Sequence, residues 1–301
     1  MLQVSIAITV FVILLILAPV LDGIERKIKA RLHSRVGPPT ILQSWYDVLK
    51  LFSKELILPE GAHSIFVVVG LLLALSIFSL MILPYGYPLS YTSDLPDLVV
   101  LLVLIISLQL LWSIGSLVTA NPFATIGVFR EVSLGIVNEF FLALGFIALM
   151  LLSGSPSSAN ISLENVPGIA YIILVVSLAV ACYVASGRIP YDIGEAEPEL
   201  ASGILIEFSG PVLGMVLYSH YVKRALLYGF IADLIILPFH RVIGVFYSTA
   251  LFIVVLVGVW LGFAITSVVL ARTRVDLAPR DLLKVYLPLS VLYSVLGYIG
   301  V

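Results

Sequence analysis

Runs of about 20 apolar residues, parted by short polar stretches, recur along the whole chain, and each is long enough to cross a bilayer as a helix. Eight such runs occupy residues 2–21, 64–83, 98–118, 132–153, 167–186, 201–222, 243–270 and 284–300. A ninth, Leu226–Phe239, contains Asp233. At about 14 residues and 1.5 Å per residue it is too short to span, so it reads as a partial or interfacial helix. The pattern predicts an all-α polytopic membrane protein, with residues 1–301 forming one transmembrane helical domain. The first run lacks a basic leader and a small-residue cleavage site, which makes it a retained helix rather than a signal peptide. No internal period is evident, which argues against an inverted-repeat transporter.

The polar intervals set the orientation. With the N-terminus outside, the inner connections are 22–63, 119–131, 187–200 and 271–283. Together with Lys284 they hold all of the 16 Lys and Arg except Lys223, Arg224 and Arg241. Basic residues stay on the cytoplasmic side, so both termini are expected outside and the inner loops in the cytoplasm, at the plasma membrane. The longest inner loop is more than a connector. Residues 24–35 are basic and amphipathic, Gly37-Pro38-Pro39 breaks the chain, and apolar residues from Ile41 to Leu56 then recur at three-to-four spacing. That is an amphipathic surface helix. Touching lipid, it would be an ordinary juxtamembrane helix. The sharper reading is a docking shelf for a soluble partner, with Arg26, Arg31, Arg35, Asp47, Lys50, Lys54 and Glu55 on it, and Arg130, Arg272 and Arg274 from the other inner loops.

Composition narrows the chemistry. The chain is 61% hydrophobic and 11% charged, with a mean hydropathy of +1.16. A net charge of −2 gives no basic face for nucleic acid. Cys182 is the only cysteine, so this chain alone holds no disulfide, iron–sulfur cluster or structural zinc. His220 and His240 lie toward the outer side in this reading, 20 positions apart, and that spacing fits no metal-ligand motif. Phosphate-loop, dinucleotide-fold, HExxH and GxSxG patterns are absent.

Against this background the stretch SGRIPYDIGEAEPELASGILIEFSG (186–210) stands out. Arg188, Asp192, Glu195, Glu197 and Glu199 crowd a membrane junction, and Glu207 follows in the sixth apolar run. Ionisable groups at mid-bilayer cost about 2.5–3.5 kcal/mol on insertion scales, so such residues tend to be functional. Carboxylates this close titrate as a coupled set, with Arg188 as the available counter-charge. A solvated acidic loop is the plainer reading, less natural where acidic residues are scarce. Glu139, eight residues into the fourth run, is a second candidate for proton or ion chemistry.

Two long motifs carry a family resemblance. ERKIKARLHSRVGPP with LQSWYDVLKLFSKE (25–55) resembles the pattern ERK…R.GP…LQ..AD..KL..KE, and GRIPYDIGEAEPELASGILIEFSG (187–210) resembles RxPFDLxExExELVxGxxxEYSG. Both patterns belong to the eight-helix membrane subunit of respiratory complex I that shapes the quinone chamber, and to its relatives in energy-converting nickel–iron hydrogenases. ARLHSR, NPFATIGVFRE and LARTRVDLAPR resemble the formate hydrogenlyase and membrane-bound hydrogenase branch. His33 stands where complex I subunits carry Gln. Ala185 stands where they carry a Glu three residues before the Arg, which puts one carboxylate of the complex I proton path in doubt.

The resemblance implies a non-catalytic subunit that binds no cofactor itself. It would anchor a peripheral redox arm, made of a cluster-bearing small subunit and a hydrogenase-like large subunit carrying iron–sulfur clusters and a nickel–iron centre. Antiporter-like membrane subunits would be its neighbours in the bilayer. Ferredoxin-type electron transfer would be coupled to proton or ion movement through Glu195, Glu197, Glu199, Glu207 and Glu139, with Asp192 and Arg188 beside them. A sulfur- or polysulfide-reducing relative and a quinone-reducing complex I are alternatives within the family. A stand-alone secondary ion transporter is the alternative from another class.

Overall fold

The computed structural model describes residues 2–57, 64–88, 96–118, 121–161, 168–194 and 203–299, and among these it is helical with no strand. The long elements are α1 (Leu2–Leu32), the surface helix α2 (Gln43–Phe52), α3 (Ser64–Ile82), α4 (Asp97–Leu117), α5 (Pro122–Ser153), α6 (Gly168–Ala185), α7 (Gly210–Ile236), α8 (Val245–Val269) and α9 (Ala278–Ile299). Seven of them, α1, α3, α4, α5, α6, α8 and α9, are long and apolar enough to cross a membrane.

The eighth long helix, α7, is the exception that organises the rest. It has 27 residues, about 40 Å at helical rise, yet it carries Lys223, Arg224 and Asp233. A helix so charged cannot face lipid tails. It lies inside the bundle, against α1, α2, α3, α6 and α8. From Tyr221 to Leu234 it is buried except at Arg224, which is half-buried.

Several sequence expectations change here. Leu226–Phe239 is no separate partial helix, because it continues α7 through Ile236 into a 3-10 turn. Its Asp233 shortens the apolar run but does not break the helix, since protein and not lipid surrounds it. At the other end, residues 203–205 form a 3-10 turn and α7 begins only at Gly210. Gly210 is left-handed at φ +50°, and Pro211 sits in the first turn of the helix, where its missing N–H costs nothing. Pro211 therefore starts α7 and does not kink it. Glu207 lies before the helix. Likewise α5 starts at Pro122, ten residues before the apolar run at 132, capped by the Asn121 side chain on the Phe123 amide. Arg130 and Glu131 are thus on a helix and not in a loop.

The first inner loop is also more regular than its composition suggests. α1 runs unbroken to Leu32, so Asp22, Glu25, Arg26 and Lys29 share one helical face. Pro19 lacks the N–H that would bond the Leu15 carbonyl. The Tyr218 hydroxyl donates to that carbonyl at 3.2 Å, and Trp45 Nε1 donates to the neighbouring Ile16 carbonyl at 3.0 Å. The proline thereby frees the acceptor that ties α7 to α1, and α2 is tied to the carbonyl next to it. The chain then crosses α1 at Gly23, where an added Cβ would lie 1.8 Å from the Ile41 carbonyl oxygen.

Gly23→Ala forces α1 and the 38–42 segment apart, and such overpacking costs about 1–3 kcal/mol. Its melting temperature in detergent is expected to fall by several degrees. Gly70→Ala, which meets nothing within 4 Å, leaves it unchanged or slightly raised.

Candidate functional site

Two polar assemblies sit inside the bundle, both built around α7. The first gathers where α1, α2, α6, α7 and α8 meet. Asp22 and Glu25 are 3% and 1% exposed, so each must be paired. Asp22 accepts from Arg26 Nε at 3.0 Å, Arg224 Nη1 at 3.1 Å and Ser44 Oγ at 2.9 Å. Glu25 is paired with Arg188, with Lys29 Nζ at 2.7 Å and with Trp260 Nε1 at 2.9 Å. Arg26 also bonds Asp47 at 2.8 Å and the Tyr221 hydroxyl at 3.1 Å, which fixes α2 to α1 and α7. A cavity of about 340 Å³ opens among these groups, with Trp112 and His220 in its wall.

Arg188 reaches this assembly from the strap that follows α6. Burial works against its charge, but the Tyr228 hydroxyl and the Glu25 and Asp22 carboxylates outweigh it and hold the guanidinium's pKa above its ordinary value. Its carboxylate partners are therefore on α1. Among the described residues its charge is taken up by the two buried carboxylates of α1, and the Glu195, Glu197 and Glu199 that it was expected to offset lie outside them.

The second assembly lies between α4, α5 and α7. Gln109 Nε2 donates to Glu131 Oε1 at 2.8 Å, and Lys223 Nζ donates to Gln109 Oε1. Glu131, Lys223, Asn138 and Glu139 line a cavity of about 20 Å³, room for a single water. Asn138 is buried and fixed by the Tyr286 hydroxyl, 2.6 Å from its Oδ1, and by the Ala181 carbonyl. A second pocket of about 10 Å³ is bounded by Glu131, Lys223, Asp192 and His220.

The structure brings some sequence candidates together and separates others. Glu139 belongs to the second assembly, 17 positions into α5. Asp192 edges the small pocket and pairs with Arg272 at 2.8 Å, while Thr273 donates to the Pro190 carbonyl at 2.9 Å, so the last inner loop holds the strap in place. Glu207 is half-buried and accepts from Asn121 at the start of α5, well away from Glu139 along that helix. Glu195, Glu197 and Glu199 lie outside the described residues. Of the docking candidates, Arg31, Arg35, Lys50, Lys54 and Glu55 are exposed, Arg274 is exposed and pairs with Asp276, and Arg130 is half-buried. Arg26 and Arg272, though partly exposed, are already paired within the chain, with Asp22 and Asp47 and with Asp192.

Sequence reasoning missed Asp22, Glu25, Gln109, Glu131, Lys223, Arg224 and His220. It set Lys223, Arg224 and His220 toward the outer face because the sixth run was ended at 222. In the folded chain Arg224 reaches Asp22 and the Ser186 carbonyl, beside the strap that follows α6. One signal was available: Asp22, Glu25, Arg26 and Lys29 follow the i, i+3, i+4 rhythm of a charged helix face.

The sequence profile described as NADH dehydrogenase matches residues 4–298. Hydrogenase-4 component C of Escherichia coli is 34% identical over 235 residues, 76% of this chain and 74% of that protein. Formate hydrogenlyase subunit 4 of the same organism is 32% identical over 283 residues, covering 89% and 90%. Among solved structures, a chain of the membrane-bound sulfane sulfur reductase, an archaeal respiratory membrane complex, superposes with a TM-score of 0.81 at 21% identity, covering 99% of this chain and 100% of that one.

The charge network makes two mutations unequal. Arg188→Gln strips Glu25 of a buried cation, and breaking such a pair costs about 3–5 kcal/mol. Arg272→Gln removes a part-exposed partner of Asp192 and costs about 1 kcal/mol or less. Thermal melts of the two variants in detergent are expected to show a large loss for the first and almost none for the second.

Proposed function

The chain belongs to the NADH dehydrogenase family, and on that footing we propose that it is the membrane-anchor and energy-coupling subunit of a complex-I-like, hydrogenase-type complex. Its task is to dock a peripheral redox arm and to couple ferredoxin-type electron transfer to proton or ion translocation. The observation that carries this reading is the pairing of an exposed basic shelf with two buried charged assemblies beneath it. The similarity to hydrogenase-4 component C and formate hydrogenlyase subunit 4 supports the hydrogenase-type arm.

In this reading α7 is the eighth crossing, completing the bundle with the seven apolar helices. An even number of crossings puts both termini on one side, and the basic loops place the other side in the cytoplasm, at the plasma membrane. The shelf comprises α2 and the end of α1, with Arg31, Arg35, Lys50, Lys54 and Glu55 outward, and Arg130 and Arg274 extend the same face. Iron–sulfur clusters and the nickel–iron centre reside in the arm. Cys182, the chain's one cysteine, is buried in α6.

Coupling follows from electrostatics. A charge change in a docked arm acts across a medium of low effective dielectric, where it shifts proton occupancy on interacting carboxylates. Asp192, Glu195, Glu197, Glu199 and Glu207 form the receiving end near the arm, with Arg188 anchoring their strap. Glu131, Lys223 and Glu139 carry the response into the bilayer, toward antiporter-like subunits.

In the assembled complex, Glu131→Gln and Glu139→Gln are each expected to lower the number of ions moved per electron about tenfold or more, the scale on which proton-transfer groups act. Ion uptake into inverted vesicles, measured beside electron transfer, gives that ratio. An unchanged ratio in both variants would remove this cluster from the path.

A further inference from the structure

The interior polar spaces form a series, and His220 stands at its narrowest point. The cavity of about 340 Å³ beside Asp22, Glu25 and Arg224 has room for many waters. The pocket of about 10 Å³ next to it touches Asp192, Glu131 and Lys223. Glu131 and Lys223 then border the cavity of about 20 Å³ that reaches Glu139. Each of the two small spaces matches one water. Trp112 and His220 line both the large cavity and the first small pocket, so together they form the wall between them. Their rings meet edge to face with centroids 4.1 Å apart.

The two wall residues differ in what they can pass. An indole donates through one N–H and accepts nothing, whereas a neutral imidazole donates at one nitrogen and accepts at the other. We infer that His220 is the proton-passing gate between the hydrated charged cavity and the Glu131–Lys223–Glu139 cluster, held at its angle by Trp112. A proton arriving from the cavity binds the free ring nitrogen. The proton on the opposite nitrogen leaves through the pocket water to the Glu131 carboxylate. The ring is neutral again, with its tautomer exchanged, and a ring flip resets it. No bond other than N–H and O–H changes, and charge is conserved at each step.

The groups around it suit this task. Lys223 and Arg224 follow on the same helix, and Arg188 borders the same cavity. Glu131 on the far side supplies the acceptor.

The inference rests on the coupling function proposed above, and its test separates the two. In the assembled complex in inverted vesicles, His220→Phe keeps an aromatic ring on Trp112, and His220→Gln keeps a polar group that does not readily take up a proton. Both are expected to lower the ions moved per electron about tenfold or more, with the peripheral subunits still co-purifying. In His220→Gly, added imidazole is expected to restore much of the ratio, which a merely structural role would not allow. Loss in all three variants without imidazole rescue would overturn the gate. So would a normal ratio in the Phe and Gln variants while Glu131→Gln loses it, and that outcome would leave the coupling function standing. Normal ratios in every variant, Glu131→Gln and Glu139→Gln included, would overturn both.

Discussion

Two adjacent cations on one buried helix are the constraint from which the rest of this structure follows. Neighbouring residues on a helix point about 100° apart, so Lys223 and Arg224 of α7 cannot share a partner. Lys223 turns to Gln109 on α4 and toward Glu131 on α5, and Arg224 turns to Asp22 on α1. Each neighbour must approach closely enough to pair, because an unpaired charge in an apolar interior is far costlier than any packing contact. Helix α7 therefore sits at the centre, with charge-bearing faces of other helices turned inward on it. The two polar assemblies are the two sides of that arrangement.

The same logic explains how the exposed shelf is joined to the interior. Arg26 spans from Asp22 to Asp47, so α2 is bonded to the buried network and does not lie loosely on lipid. Just beyond α2, the Ile57 amide donates to Ser209 Oγ, and an added Cβ on Gly210 would lie 2.5 Å from the Glu55 carbonyl oxygen. The end of the shelf is thus clasped to the start of α7. The strap carrying Arg188 and Asp192 is held on one side by Glu25 and on the other by Arg272 and Thr273. The elements of this face are therefore each one contact away from a buried charge.

Much of the fold was legible in the sequence. Apolar runs of bilayer length fixed the membrane class, and seven of the eight proposed spans correspond to helices apolar enough to cross. The amphipathic rhythm after Pro39 located α2. The failures cluster at α7. Hydropathy counts Lys223, Arg224 and Asp233 as interruptions, since it assumes that lipid surrounds each helix, and here the surroundings are other helices. The same misplacement separated His220 from Asp192 and the strap, which it lies beside, and hid the Lys223 cluster. Glu207 was taken for a membrane residue because the apolar run 201–222 reads through a 3-10 turn and a left-handed Gly210.

The sequence by itself determined the solvent: with this hydropathy and helical length the chain belongs in a bilayer, and its basic residues mark one face. It also singled out Glu139 and Arg188 as charges too costly to leave unpaired in lipid. What only the tertiary structure decided is the pairing. Arg188 could have balanced any of the carboxylates near it in sequence, yet it goes to Glu25, 163 positions away. Ion pairing depends on distance in space and on the loss of water, and a linear sequence specifies neither until the helices pack.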